Sequence, residues 1–293
     1  MEYLLHIVIL IGIYSLVAVS LNLLAGYTGL LSIAHAAFYG IGAYVVALMA
    51  LKLGTPFWLN IVCAMAAAGV IGFLVGLPSL RVHDDYFVLV TFGLQVIITG
   101  IMVNWVTLTG GPMGLPGIPQ PSILGFTFDS HWRFLALTIF VAAAGFICCY
   151  WIVNSPFGRV LRAIREDEVF AQSMGKSVTR YKVTAFVVGA VLAALAGSLY
   201  AVYITFIDPT SFTIQESIFM LAIVIIGGAG NLWGSVLGAA ALVALPEALR
   251  FVGLPSAVAA NTRQIMYGAL LVLMMLFRPR GLLGEFDFRN TRG

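Results

Sequence analysis

Two stretches gather the residues whose types and spacing could do chemistry. The first, GRVLRAIREDEVFAQSMG at 158–175, sets Arg159, Arg162, Arg165, Glu166, Asp167 and Glu168 within ten positions, in a 293-residue chain with only 15 Lys and Arg and 12 Asp and Glu. Its chemistry is ionic recognition. Arg162 and Glu166 are four apart and Arg165 and Glu168 three apart, and such helical pairs contribute only ~0.2–0.5 kcal/mol each. That is too little to account for the concentration. Cytoplasmic anchoring explains the arginines but not the acidic triplet. A salt-bridged amphipathic element docked on another protein explains both; a solvated linker with topogenic charge is the plainer reading. Ser155 and Pro156 suit a helix cap and first turn, and Gly175 suits a stop. Val160, Ile164, Ala171 and Met174 form an apolar stripe that Asp167 interrupts, so two short helices compete with one.

The second stretch is LNLLAGYTGLLSIAHAAFYGIGAY at 21–44, polar at Asn22, Thr28, Ser32 and His35 and otherwise small or apolar. A polar solute crossing lipid needs hydrogen-bonding groups in place of water, and Asn22, Ser32 and His35 offer the best such constellation in the chain. Ser32 and His35, three apart, would share a helix face. A neutral His35 hydrogen-bonded across a helix interface would serve equally well, and the structural role is favoured for it. The small residues, with Ala36 and Gly40 in a small-xxx-small pattern, suit close helix packing. A further broken element spans 225–250, where Gly227, Gly228, Gly230 and Gly234 surround Asn231 and Trp233. Pro246 would bend the helix that follows, and Glu247 and Arg250 could pair. A tight helical hairpin and a substrate site both fit this element.

What is missing excludes several enzymes. The chain has no GxxxxGK[ST], HExxH, GxSxG or paired Cys/His spacing. Cys63, Cys148 and Cys149 all fall in apolar runs and read as core residues.

The elements that must position these residues are membrane helices. Apolar residues make up 61% of the chain and charged ones 9%, with a mean hydropathy of +1.03. Soluble domains need roughly 25% charged residues to face water, so lipid is the solvent here. The patterning predicts an all-α polytopic membrane helix bundle with broken or re-entrant elements. It has eight to ten transmembrane helices, nine being the best count. The expected spans are 4–25, 30–51, 57–79, 86–106, 133–153, 183–206, 217–228, 233–249 and 264–278. The N-terminus, MEYLLHIVIL, lacks the basic start of a signal peptide and reads as the first span.

Lys and Arg gather in 154–182 and in a tail with Arg278, Arg280, Arg289 and Arg292, whereas loops 107–132 and 207–216 have none. The positive-inside rule then puts 154–182, Arg81 and the C-terminus in the cytoplasm, and Lys52 and the N-terminus outside. The Gly- and Pro-rich stretch 107–121 reads as either an irregular external cap or a simple connection. A secondary transporter would need buried Asp or Glu for ion coupling, and the spans hold none outside their boundary residues. A non-transporting scaffold would need no polar residues in the second span.

Nearly the whole chain resembles the LivM-type permeases of branched-chain amino acid ABC transporters. The resemblance rests on 21–44, YFVLVTFGLQVI at 86–97, TGGPMGLPGIP at 109–119 and NSPFGRVLRAIREDEVFAQSMGKSVTRYK at 154–182. It continues in GGAGNLWGSVLGAA at 227–240 and RQIMYGALLVLMMLFRPRGLLG at 263–284. It implies one transmembrane permease domain over 1–293 in the bacterial inner membrane, importing Leu, Ile or Val; related permeases serve urea, amides or other amino acids. Implied partners are a LivH-type second permease, two cytoplasmic ATPases that use ATP and Mg, and a periplasmic binding protein meeting loop 107–132. No cofactor of its own and no nucleic-acid partner are expected. The charged loop would seat in the ATPase groove, with Arg162, Arg165, Glu166, Glu168 and Gly175 as coupling residues. It is similar to the importer motif with an EAA core and a later glycine. Ala171 stands four before Gly175, but Val169 and Phe170 hold the E and A positions and Glu168 is displaced by one.

Overall fold

A computed structural model of the chain describes residues 2–80, 84–123, 126–128, 130–250, 268–274, 276, 278 and 281–284. Arg81, Arg280, Arg289, Arg292 and much of 264–278 lie outside the described residues, as do the side chains of Pro246, Glu247 and Arg250.

The chain is an all-α polytopic membrane bundle. At 1.5 Å per residue a helix needs about 20 residues to cross ~30 Å of hydrocarbon. Among the described residues, six helices are long and apolar enough to do so. They are α1 (Glu2–Ala25), α2 (His35–Leu48, extended by a π-helical turn at Met49–Leu53), α3 (Phe57–Ser79), α4 (Asp84–Asn104), α6 (His131–Asn154) and α9 (Val178–Ile204). The short helix α5 (Val106–Thr109) follows α4, and α7 (Pro156–Glu166) and α8 (Glu168–Ser173) fill the charged loop. Two further helices form a hairpin, α10 (Ile214–Gly227) and α11 (Leu232–Arg250), the latter running on through Pro246. Residues 268–274 and 276 are also helical.

Helices α1, α2 and α9 form the centre, with α3, α6, α10 and α11 packed around them. Glycines set the α2–α9 crossing. A Cβ on Gly42 would strike the Ala194 carbonyl, and one on Gly197 would strike the Tyr39 carbonyl. The close approach of α2 to α9 thus runs from Tyr39 to Gly42, while Gly40 faces the side chains of Met102 and Phe212 instead of α9. Close approach of this kind replaces the hydrophobic drive that lipid withholds from helix pairs.

The two loops without Lys or Arg are joined. Strand β1 (Leu115–Pro116) pairs antiparallel with β4 (Phe206–Ile207), while β2 (Ser122–Ile123) and β3 (Phe126–Thr127) form a small hairpin. Lys52 donates to the Thr107 carbonyl at 3.2 Å. These contacts put Lys52 and both loops on one side of the bundle. The 107–121 stretch is thus an ordered, largely irregular cap.

Candidate functional site

The charged stretch folds as two short helices. Ser155 caps α7 by accepting from the Gly158 N–H at 3.4 Å, with Pro156 in the first turn. Asp167 ends α7 and caps α8, accepting from the Phe170 N–H at 2.9 Å. The acidic residue that breaks the apolar stripe is therefore the cap between two helices. Gly175 closes the element at φ +74°, a backbone conformation that suits glycine. Ile164, Ala171 and Val178 share a small core that seats α7 and α8 on the start of α9, beside the stacked rings of Phe157 and Tyr181.

Because the helix breaks at Asp167, the expected spacing between Arg165 and Glu168 does not exist. Arg165 instead pairs with Glu166 at 2.6 Å, and Glu168 with the buried Lys182 of α9 at 2.7 Å. Nor does Arg162 pair with Glu166: its guanidinium lies over the Tyr27 ring, 5.3 Å from the centroid. Arg165 reaches further, its Nη1 donating to the Gly26 carbonyl at 2.6 Å. Both arginines thus hold the chain just past the end of α1.

Asn22 continues the connection one turn back along α1. Its Nδ2 donates to the Asn231 carbonyl at 2.8 Å and to Ser235 Oγ at 2.6 Å, and its Oδ1 accepts from the Gly230 N–H at 2.9 Å. One fully buried amide therefore ties α1 to the α10–α11 turn. The other side of that turn is held by residues 282–283, whose N–H groups donate to the Ile226 and Gly227 carbonyls.

Deeper in the bundle, two irregular stretches precede α2 and α10. Backbone in lipid must be hydrogen-bonded internally, and α4 supplies the partners from one face. Thr91 accepts from the Ile33 N–H at 3.2 Å. Gln95 donates to the Phe212 carbonyl at 2.7 Å, and Thr99 donates to the same carbonyl. Ser217 donates to Gln95 Oε1 at 3.2 Å and accepts from the Ala36 N–H at 3.0 Å, so the starts of α2 and α10 touch. Alongside, Tyr14 donates to Glu216 at 2.5 Å, within a cluster containing Tyr39, Tyr200, Phe212 and Phe219. Helices that begin inside a bundle, beside polar side chains, are an arrangement that membrane transporters use for solute sites.

A family of transport proteins, described as "Branched-chain amino acid transport system / permease component", matches residues 3–275. The chain belongs to that family. The permease is 36% identical to the high-affinity branched-chain amino acid transport system permease protein LivM of Salmonella typhimurium, and 37% identical to that of Escherichia coli K12. Each alignment covers 92% of this chain and 68% of the relative. It is also 27% identical to the permease protein LivH of Escherichia coli K12, over 93% of this chain and 91% of the relative. Among solved structures, a chain of PsaBC from Streptococcus pneumoniae in complex with Fab aligns with 94% of this chain and 91% of its own. With a TM-score of 0.45 and 15% identity, that likeness is too distant to add to the fold.

The structure separates the three polar residues of the second stretch. Asn22 is a crosspiece with both ends of its amide engaged. Ser32 precedes α2 in irregular backbone, so it shares no helix face with His35, and its Oγ accepts from the Ala34 N–H at 3.3 Å. His35 opens α2 fully buried, and among the described residues neither ring nitrogen has a hydrogen-bond partner. The interhelical bond expected for a structural histidine is not there. Sequence reading missed Thr91, Gln95 and Thr99 on α4, although their spacing of four marks a polar stripe on an apolar helix. It also left Glu216 in the loop 207–216, whereas Glu216 lies on α10 against Tyr14 of α1.

Proposed function

We propose that this chain is one permease subunit of an ATP-driven importer and moves Leu, Ile or Val across a bacterial inner membrane. The observation that carries this is the family match over residues 3–275. In this reading residues 1–293 form one transmembrane domain, paired with a second, LivH-type permease; similarity to both LivM and LivH proteins supports such a pair. Two cytoplasmic ATPases bind and hydrolyse ATP with Mg, and this chain catalyses no reaction. A periplasmic binding protein delivers the amino acid to the cap formed by loops 107–132 and 207–216. The N-terminus is periplasmic, and α7, α8 and the C-terminus are cytoplasmic.

Coupling runs through α7 and α8. On α8 and its C-cap, Val169 is 76%, Phe170 59% and Met174 65% exposed, an apolar surface on a cytosolic helix and a natural seat for a partner groove. Arg162 and Arg165 grip the end of α1, Glu168 fixes α8 to α9 through Lys182, and Gly175 sets the turn between them. Movement of the seat is passed by Arg165 to Gly26, and by Asn22 to the α10–α11 turn. Ser32 and His35 stand where α2 begins and line the solute path beside Ser217.

Reconstitution in proteoliposomes tests the proposal. Leucine uptake that requires ATP, the ATPases and the binding protein supports it. Uptake by this chain alone, or none by the full assembly, sinks it. Ser32→Ala with His35→Ala lowers uptake without loss of assembly; unchanged kinetics remove both residues from the path.

A further inference from the structure

Glu216 is the feature that the coupling account leaves unused. Its carboxylate accepts from Tyr14 at 2.5 Å. Among the described residues no Lys, Arg or His forms an ion pair with it. The rings of Tyr14 and Tyr39 lie 6.5 Å apart and those of Tyr39 and Tyr200 5.4 Å apart. Tyr39 is only 1% exposed, and among the described residues its hydroxyl has no hydrogen-bond partner. Glu216, Tyr14 and Tyr200 are half-buried.

A carboxylate within a membrane bundle is costly, and so is a buried hydroxyl left unbonded. A bridge from α1 to α10 needs only an acceptor for Tyr14, which a glutamine amide would supply without charge. The charge, the open acceptor on Tyr39 and the aromatic walls share one complement. A primary ammonium has three N–H donors and is attracted to the faces of tyrosine rings. We infer that Glu216, with Tyr14, Tyr39 and Tyr200, forms a subsite for the primary ammonium group of the transported amino acid. Glu216 supplies the counter-charge, with Tyr14 holding one carboxylate oxygen. Tyr39 supplies a hydroxyl acceptor, and Tyr39 and Tyr200 supply ring faces. This rests on the permease reading above and adds to it the group that the bundle itself recognises.

The test uses the assembled complex of both permeases and ATPases. Without binding protein, it is titrated calorimetrically with isoamylamine, which is leucine stripped of its carboxylate, and with 4-methylpentanoate, which lacks the ammonium. The amine binds and the acid does not. Glu216→Gln lowers amine affinity and binding-protein-dependent leucine uptake by about tenfold or more, the loss expected for one charge-assisted hydrogen bond. Glu216→Asp, which keeps the charge, loses less. A complex that binds the amine no better than the acid overturns the inference, as does a Glu216→Gln complex within about twofold of the unaltered one. Should Glu216→Gln fail to assemble, the titration of the unaltered complex decides alone. Absence of ATP-dependent leucine uptake by the unaltered complex would refute the permease reading instead, a result independent of the titration.

Discussion

Asn22→Ala is the perturbation whose magnitude the structure defines best. The side chain makes three hydrogen bonds of 2.6–2.9 Å to Asn231, Ser235 and Gly230, and all three cross from α1 to the α10–α11 turn. Within membrane bundles an interhelical bond contributes on average ~0.6 kcal/mol, and in proteins generally about 1 kcal/mol. Their loss therefore costs about 2–3 kcal/mol, shifting the population of intact turn by roughly 30- to 150-fold. Ser235→Ala removes one bond and costs ~1 kcal/mol or less. The assay is unfolding of the purified complex in detergent by titrated SDS, beside leucine uptake driven by ATP. Asn22→Ala should lower both, and the double variant with Ser235→Ala should fall short of additivity because the two share a bond. A loss below ~0.5 kcal/mol with normal uptake would refute the crosspiece.

Gly175 has φ +74° and nothing within 4 Å of a built Cβ, so Gly175→Ala costs only ~1 kcal/mol of backbone strain and keeps most uptake. Gly175→Pro, locked near φ −65°, raises the ATP hydrolysed per leucine moved; an unchanged ratio would remove the turn from coupling. Arg165→Lys keeps the charge but loses the fork that bonds the Gly26 carbonyl and Glu166 together, and it too should raise that ratio. With Cys63, Cys148 and Cys149 replaced by alanine, cysteines at Met113 and Met174, both exposed, should react with a charged thiol reagent from opposite sides. Labelling of both in intact cells would overturn the assigned orientation.

The long helices were legible because their signal is local. An apolar run of about 20 residues has one stable arrangement in lipid, and α3 begins and ends where its run does, at Phe57 and Ser79. The charged loop was legible for a similar reason: Ser155, Asp167 and Gly175 act on backbone within a few residues of themselves. What depended on distant partners was not legible. Ser32 and His35 were placed on one face by counting helical spacing through residues that the bundle holds irregular. The hold comes from Thr91, 59 positions from Ser32 in the sequence. Asn22 read as a pathway group because nothing near it in sequence shows that Gly230 and Asn231 would consume its amide. Glu216 is the sharpest case. In the sequence it reads as the end of the loop 207–216, and only the fold brings Tyr14 to it from α1.

These distant contacts share a purpose that their order along the chain conceals. The irregular stretch 26–34 receives Arg165 from α7 at Gly26 and Thr91 from α4 at Ile33, and it lies between Asn22 on α1 and His35 at the start of α2. A regular helix through 26–34 would have no carbonyl free for Arg165, since each would be bonded four residues on. The break that frees the Gly26 carbonyl for Arg165 also starts α2 inside the bundle, with its Ala36 N–H on Ser217, next to Glu216. One interruption of helix thus supplies both the carbonyl that Arg165 holds and the helix start that Ser217 holds, so the proposed coupling element and the proposed solute path meet in a single segment of backbone.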